Sequence, residues 1–236
     1  LLVAALEAGI DVERVFVAAD ARSAEVDAAV GLARSKGVPV AGLAPGVLEK
    51  VADAATPHGC AAVALDRRTS IGELALRGQL LVLDEVRDPG NLGAVVRVAE
   101  AAGCEAVLLA GSSADPFGPK ALRGSTGSTF RVPVVEAGPV LALLDMLGEN
   151  GVVTMATSSH EGEDFGAIDW PSAVAIVLGN EAAGLDAATV AACERRVTIP
   201  ICAPVESLNL AVTAGILAFS AARGLTARTP SVQVLR

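Results

Sequence analysis

Apolar and polar positions along this chain follow two periods that take turns. Short runs rich in Val, Leu and Ala, bounded by polar residues, predict strands at Arg14–Ala18, Val38–Val40, Ala61–Leu65, Leu80–Val86, Ala106–Ala110, Phe130–Val135, Val152–Thr157, Ala173–Leu178 and Val197–Ile201. Between them, apolar residues recur at helical spacing over Leu1–Gly9, Ser23–Lys36, Ala44–Ala54, Asn91–Ala102, Val140–Leu147, Ala187–Cys193 and Ser207–Ala222. Ser23 and Asn91 are suited to cap their helices, Ser207 or Glu206 can cap the last one, and Gly103 is a good terminator. This alternation predicts an α/β protein with a mostly parallel sheet and helices on both faces. The tail Leu225–Arg236 reads as frayed.

The texture changes twice. Residues 1–66 form one small α/β domain, expected to lack part of its N-terminal edge, 67–78 form a polar linker carrying Arg67 and Arg68, and 79–236 form a larger domain. Inside the larger domain Ser112–Gly127 is rich in Ser, Pro and Gly and reads as a long loop, and His160–Asp164 reads as an acidic one.

Composition narrows the classes. The chain has 236 residues, 52% of them hydrophobic, enough for a substantial core. No run approaches the roughly 18 apolar residues of a membrane span, so no membrane association is expected. The first ten residues lack a basic region and carry Glu7, unlike a secretory signal, and the start at Leu1 within a helix points to residues ahead of it. Four cysteines without CxxC spacing and only two histidines argue against a metal site or a disulfide framework, and fit a reducing cytoplasm. The net charge of −9 is the wrong sign for a nucleic-acid partner, although a local basic patch outweighs the total.

The candidate chemistry lies at three strand-to-helix junctions: Asp88–Arg97, Leu178–Leu185 and Ile199–Asn209. In an open parallel sheet such junctions share the carboxyl edge, where ligands bind. Arg97 stands among apolar neighbours in its helix, either as a stem covering apolar surface or as a site residue. The chain has no G-x-G-x-x-G, no Walker P-loop and no nucleophile elbow.

Taken in order, Asn91-x-Gly93-x-x-x-Arg97, Leu178-Gly179-Asn180-Glu181-x-x-Gly184-Leu185, and Ile199-Pro200-Ile201 followed by Ser207-Leu208-Asn209 resemble the three motifs of the SpoU (TrmH-like) branch of the SPOUT RNA methyltransferases. Residues 1–65 resemble the small ribosomal-protein-like domain that precedes the catalytic domain in many members. The resemblance implies a knotted α/β fold, a homodimer, S-adenosylmethionine as methyl donor and a ribose 2′-hydroxyl as acceptor. Ribosomal RNA is the preferred substrate, transfer RNA the second, and an antibiotic-resistance role is compatible with either.

By the same resemblance Arg97, Asn91, Glu181, Ser207 and Asn209 form the catalytic set. Arg97 acts there either as a base or by binding the phosphate or developing alkoxide; the strong basicity of a free guanidinium disfavours the first. S-adenosylmethionine would meet Thr157, Ser158, Leu178, Gly179, Asn180, Gly184, Ile199, Ile201 and Leu208, largely through backbone groups. RNA would meet Arg87, Lys120, Arg123 and Arg131, with Arg14, Arg34 and Lys36 in the first domain. Two other readings stay open: a small-molecule enzyme on a doubly wound sheet, and a non-catalytic RNA-binding relative.

Overall fold

The computed structural model describes residues 1–21, 23–51, 59–65, 68–159 and 161–226. The end of the predicted Ala44–Ala54 helix, His58, Arg67, His160 and residues 227–236 of the tail lie outside them. The chain divides into two compact units, Leu1–Arg68 and Thr69–Arg236.

The first unit runs α1 (Leu2–Glu7), β1 (Val12–Ala18), α2 (Ala24–Ser35), β2 (Val40–Leu43), α3 (Leu48–Val51) and β3 (Cys60–Ala64). Its sheet has the order β2-β1-β3, with β2 parallel and β3 antiparallel to β1. Ser23 caps α2, its hydroxyl accepting the Val26 N–H at 3.2 Å. Leu6, Val12, Val15 and Ala33 form its small core.

The second unit runs β4 (Gln79–Asp84), α4 (Pro89–Ala102), β5 (Ala106–Ala110), α5 (Pro119–Ser125), β6 (Val134–Gly138), α6 (Val140–Glu149), β7 (Val153–Ser158), β8 (Glu163–Asp164), β9 (Val174–Leu178), α7 (Ala187–Ala192), β10 (Arg195–Thr198) and α8 (Leu210–Thr226). The sheet order is β6-β5-β4-β9-β7-β10-β8. Every pair in it is parallel, so the antiparallel ladder among the described residues belongs to the first unit.

Alternation along the central strands divides the core between two layers. Leu81, Leu83, Ile176 and Leu178 face α4 and α8, while Leu80, Val82, Ala175 and Val177 face α6. Both faces of β4 are sealed, with Leu80 to Leu83 all 0% exposed. Burial of each such leucine contributes about 1.5–3 kcal/mol, so the site rests on a rigid floor.

The expected strand Val38–Val40 is displaced to Val40–Leu43, and four other expected elements differ. Ser112–Gly127 is not one loop: Pro119 opens α5, a position where its missing N–H costs nothing. Phe130–Val135 splits into a 3₁₀ turn, Ser128–Phe130, and β6, because Pro133 delays strand pairing until Val134. Within the acidic segment Glu163 and Asp164 pair with Val197 and Thr198 as a short edge strand. The expected linker is folded onto the second unit: Ile71, Leu74 and Leu76 pack on the α6-side core, and the Glu105 carboxylate accepts the N–H groups of Leu76, Arg77 and Gly78 at 2.7, 3.0 and 2.7 Å.

Candidate active site

Because the strand order is β4-β9-β7-β10, junctions far apart in sequence become neighbours at one carboxyl edge. The segment 199–209 leaves β10 and returns across this edge to start α8, which packs against α4, β4 and β9. The result is a cleft of about 550 Å³, a volume suited to a single small ligand.

All nine residues expected to meet the methyl donor line this cleft: Thr157 and Ser158 after β7, Leu178, Gly179, Asn180 and Gly184 after β9, and Ile199, Ile201 and Leu208 after β10. Asn91, Glu181, Ser207 and Asn209 of the expected catalytic set line it too. Arg97 does not: it is exposed on α4, with neither hydrogen bond nor ion pair among the described residues. Arg87, Lys120, Arg123 and Arg131 also lie outside the cleft wall, and Arg14, Arg34 and Lys36 belong to the first unit.

The motif side chains join in one directed chain. Asn209 Oδ1 accepts the N–H groups of Ala211 and Val212 at 2.9 and 3.4 Å, and so caps α8. Its Nδ2 donates to Asn91 Oδ1 at 3.1 Å, and Asn91 Nδ2 donates to Glu181 Oε1 at 3.0 Å. Helix N–H donors at one end and a carboxylate acceptor at the other fix the orientation of both amides.

Two expected caps are corrected here. Asp88, not Asn91, caps α4, because its Oδ1 accepts the Gly90 N–H at 2.7 Å and Pro89 follows at the first helical position. Asn209, rather than Ser207 or Glu206, caps α8, which starts at Leu210. Asn91 is thereby released from capping and its amide turns to the cleft.

The glycines do different work. A Cβ on Gly179 would lie 2.3–2.4 Å from the backbone of Gly184 and Leu185, so the 179–185 loop closes only on glycine. Asn180 braces the same loop: Oδ1 accepts the N–H groups of Ala182 and Ala183, and Nδ2 donates to the Glu85 carbonyl at 2.9 Å. Gly93 lies outside the cleft wall. A Cβ there would meet the Ala121 carbonyl at 2.3 Å, so its role is close packing of α4 on α5.

The charges near the edge are mostly paired. Arg87 meets Glu85 at 3.1 Å, Lys120 meets Asp88 at 2.7 Å, and Arg131 meets Glu100. The Lys120 ammonium and the Gly90 N–H hold the Asp88 carboxyl below the usual carboxylate range. Burial, then Glu85 and Asp186, push Asp84 up. Within the cleft wall, among the described residues, the charged side chains are Glu181 and Glu206, with no lysine or arginine.

Sequence reading missed Thr213 and Leu217, which also line the cleft. They stand four and eight positions beyond Asn209 on α8, and that helical spacing was the available signal. Ser159 and Val197 are further wall residues outside the three motifs, and Leu185 closes the second.

Residues 78–219 match the model of the SpoU rRNA Methylase family. The chain is 39% identical over 147 residues to the 23S rRNA (guanosine(2553)-2′-O)-methyltransferase RlmP of Bacillus subtilis, covering 62% of this chain and 59% of that one. It is 31% identical over 221 residues to the 23S rRNA (guanosine-2′-O-)-methyltransferase RlmB of Xanthomonas axonopodis pv. citri, covering 90% and 89%. Over the Bacillus subtilis protein and an uncharacterized tRNA/rRNA methyltransferase of Synechocystis sp., it spans just over half their length. The AdoMet-bound rRNA methyltransferase structure from Sinorhizobium meliloti superposes with a TM-score of 0.82 at 27% identity, covering 95% of this chain and 84% of that one. The SpoU methyltransferase AviRb from Streptomyces viridochromogenes also gives 0.82, at 26% identity over 96% and 87%. The family match over the sheet and its junctions, together with these full-fold likenesses, makes this chain a member of the SpoU rRNA methylase family.

Proposed function

We propose that this chain is an RNA methyltransferase that moves a methyl group from S-adenosylmethionine to a ribose 2′-hydroxyl in 23S ribosomal RNA. The observation that carries this reading is the cleft wall, built from the three motif junctions and charged by two carboxylates with no lysine or arginine among the described residues. A dinucleotide or nucleoside triphosphate would bring several negative charges to that wall, whereas a sulfonium and an ammonium suit it. Relatives named as 23S rRNA 2′-O-methyltransferases support the acceptor.

Thr157, Ser158, the 178–184 loop, Ile199, Ile201 and Leu208 would hold S-adenosylmethionine, which would supply an electrophilic methyl on a positive sulfur and leave as a neutral thioether, the ribose hydroxyl proton going to solvent. The chain's part is alignment and charge. The amide chain Asn209–Asn91–Glu181 holds the three junctions in one geometry, and Ser207 lines the same wall. Arg97 binds the phosphate or the developing alkoxide, to which a guanidinium offers charge and several N–H donors.

Arg97 stands outside its own cleft, so the reading includes a homodimer in which α4 and α8 face a second copy. Val212 and Phe219, 50% and 48% exposed one above the other on α8, support this. The return of 199–209 across the carboxyl edge supports the family's knotted closure. Arg14, Arg34, Arg87, Lys120 and Arg123 are the proposed RNA contacts. In the first unit the proposed task is RNA capture, and the proposed location is the cytoplasm.

The test is transfer of labelled methyl from S-adenosylmethionine to purified 23S and transfer RNA, followed by mapping of 2′-O-methyl positions. Label in 23S RNA at a ribose is expected. Label only in transfer RNA would move the substrate, and calorimetric binding of NAD in place of S-adenosylmethionine would overturn the reading.

A further inference from the structure

The two carboxylates of the cleft are not equivalent. Glu181 is engaged, accepting from Asn91 Nδ2 at 3.0 Å as the end of the amide chain. Glu206 also lines the cleft, on the segment between Ile201 and Ser207, yet it has no hydrogen bond or ion pair among the described residues. It is not needed as a cap either, because Asn209 serves α8. An unneutralised carboxylate on the wall of a ligand cleft that carries no lysine or arginine is a selector for positive charge.

We infer that Glu206 makes the cleft selective for the cationic sulfonium donor over its neutral thioether product. This rests on the donor reading proposed above. Donor and product share the adenosine and the amino-acid end, with its ammonium and carboxylate. They differ by one methyl and by the positive charge on sulfur, which disappears when the methyl leaves. A carboxylate facing the ligand therefore favours the donor before transfer and loses that attraction afterwards, which speeds exchange of product for fresh donor. Glu206 is a specificity residue here, with no part in moving the methyl or the proton.

The effect is modest because Glu206 is exposed. One charge pair at short range in water is worth about five-fold in affinity, and added salt reduces it. The experiment is calorimetric titration of the full chain and of Glu206→Gln and Glu206→Asp with S-adenosylmethionine and, separately, with S-adenosylhomocysteine, at low and at high salt. Glu206→Gln should bind S-adenosylmethionine about three- to six-fold more weakly and S-adenosylhomocysteine as the parent does. Glu206→Asp should recover part of the difference, and salt should erode the donor-to-product ratio of the parent but not of Glu206→Gln. An unchanged ratio, or an equal loss for both ligands, overturns the inference while leaving the donor reading intact. If the parent binds neither ligand, the donor reading itself falls and this inference with it.

Discussion

One oxygen of Asp88 carries two bonds, to the Gly90 N–H and to the Lys120 ammonium, both at 2.7 Å. It therefore joins the cap of α4 to α5. Since Asp88 titrates below its ordinary value, its stabilisation is complete above the unfolded pKa near ~3.9 and is lost as pH falls through the lower folded value. Asp88→Ala should lower the urea midpoint at neutral pH, and the gap to the parent should close on acidification below about pH 4. A gap unchanged at low pH would assign the effect to packing instead.

Arg97 is the other decisive residue. As it is exposed, unpaired among the described residues and outside the donor cleft, Arg97→Ala should fold normally and keep its affinity for S-adenosylmethionine. Methyl transfer should fall by about 10²-fold or more, the usual cost of one lost transition-state donor. Near-parental turnover in a labelled-methyl assay would remove Arg97 from the centre.

At the scale of elements, α4 and α5 meet through glycine. Gly93 stands against Ala121 and Ser125, and Gly124 against Gly93 and the Gly90 carbonyl. Gly93→Ala should destabilise by about 1–3 kcal/mol through overpacking. Gly31, in the middle of α2, has nothing within 4 Å of an added Cβ. Gly31→Ala should therefore stabilise by about 0.5–1 kcal/mol. Urea denaturation of both variants checks the pair, and equal effects would refute the packing account. The helix α5 was hidden in sequence because its seven residues, Pro119–Ser125, include Gly and Ser and lack an apolar stripe. Its helical state comes from docking on α4, not from its own pattern.

For the whole molecule, net charge and exposed apolar surface carry the information. At −9 the protein is a poor general binder of polyanions, and Arg87, Lys120 and Arg131 each already have a carboxylate partner. The proposed pairing of two copies would bring the basic groups of both onto one particle. Light scattering should give a particle of twice 23.6 kDa, and Phe219→Glu, placing a charge in the exposed α8 stripe, should give a single-chain mass. An unchanged mass would put the contact elsewhere. The first unit presents a different surface, where Val63 and Leu65, 48% and 50% exposed, lie on and just past edge strand β3.

By itself the sequence determined where most of the strands fall, which faces are apolar, and that three polar junctions would gather at one carboxyl edge. The Leu and Val of β4 and β9 are periodic and buried on both faces, so local pattern and global burial agree there. Motif order made the wall of the cleft legible from Leu178 to Asn209, and the family resemblance added Thr157 and Ser158. Other features were decided only by the tertiary structure. Strand order β4-β9-β7-β10 does not follow sequence order, so the meeting of Asn91, Glu181 and Asn209 across separations of 90 and 118 residues could not be read locally. Caps moved to Asp88 and Asn209 because capping depends on where an oxygen points, and several residues at each helix start had suitable oxygens. Arg97 shares a helix with Asn91, yet rotation about that helix carries its guanidinium away from the cleft that Asn91 enters, a difference set by which face of α4 the sheet buries.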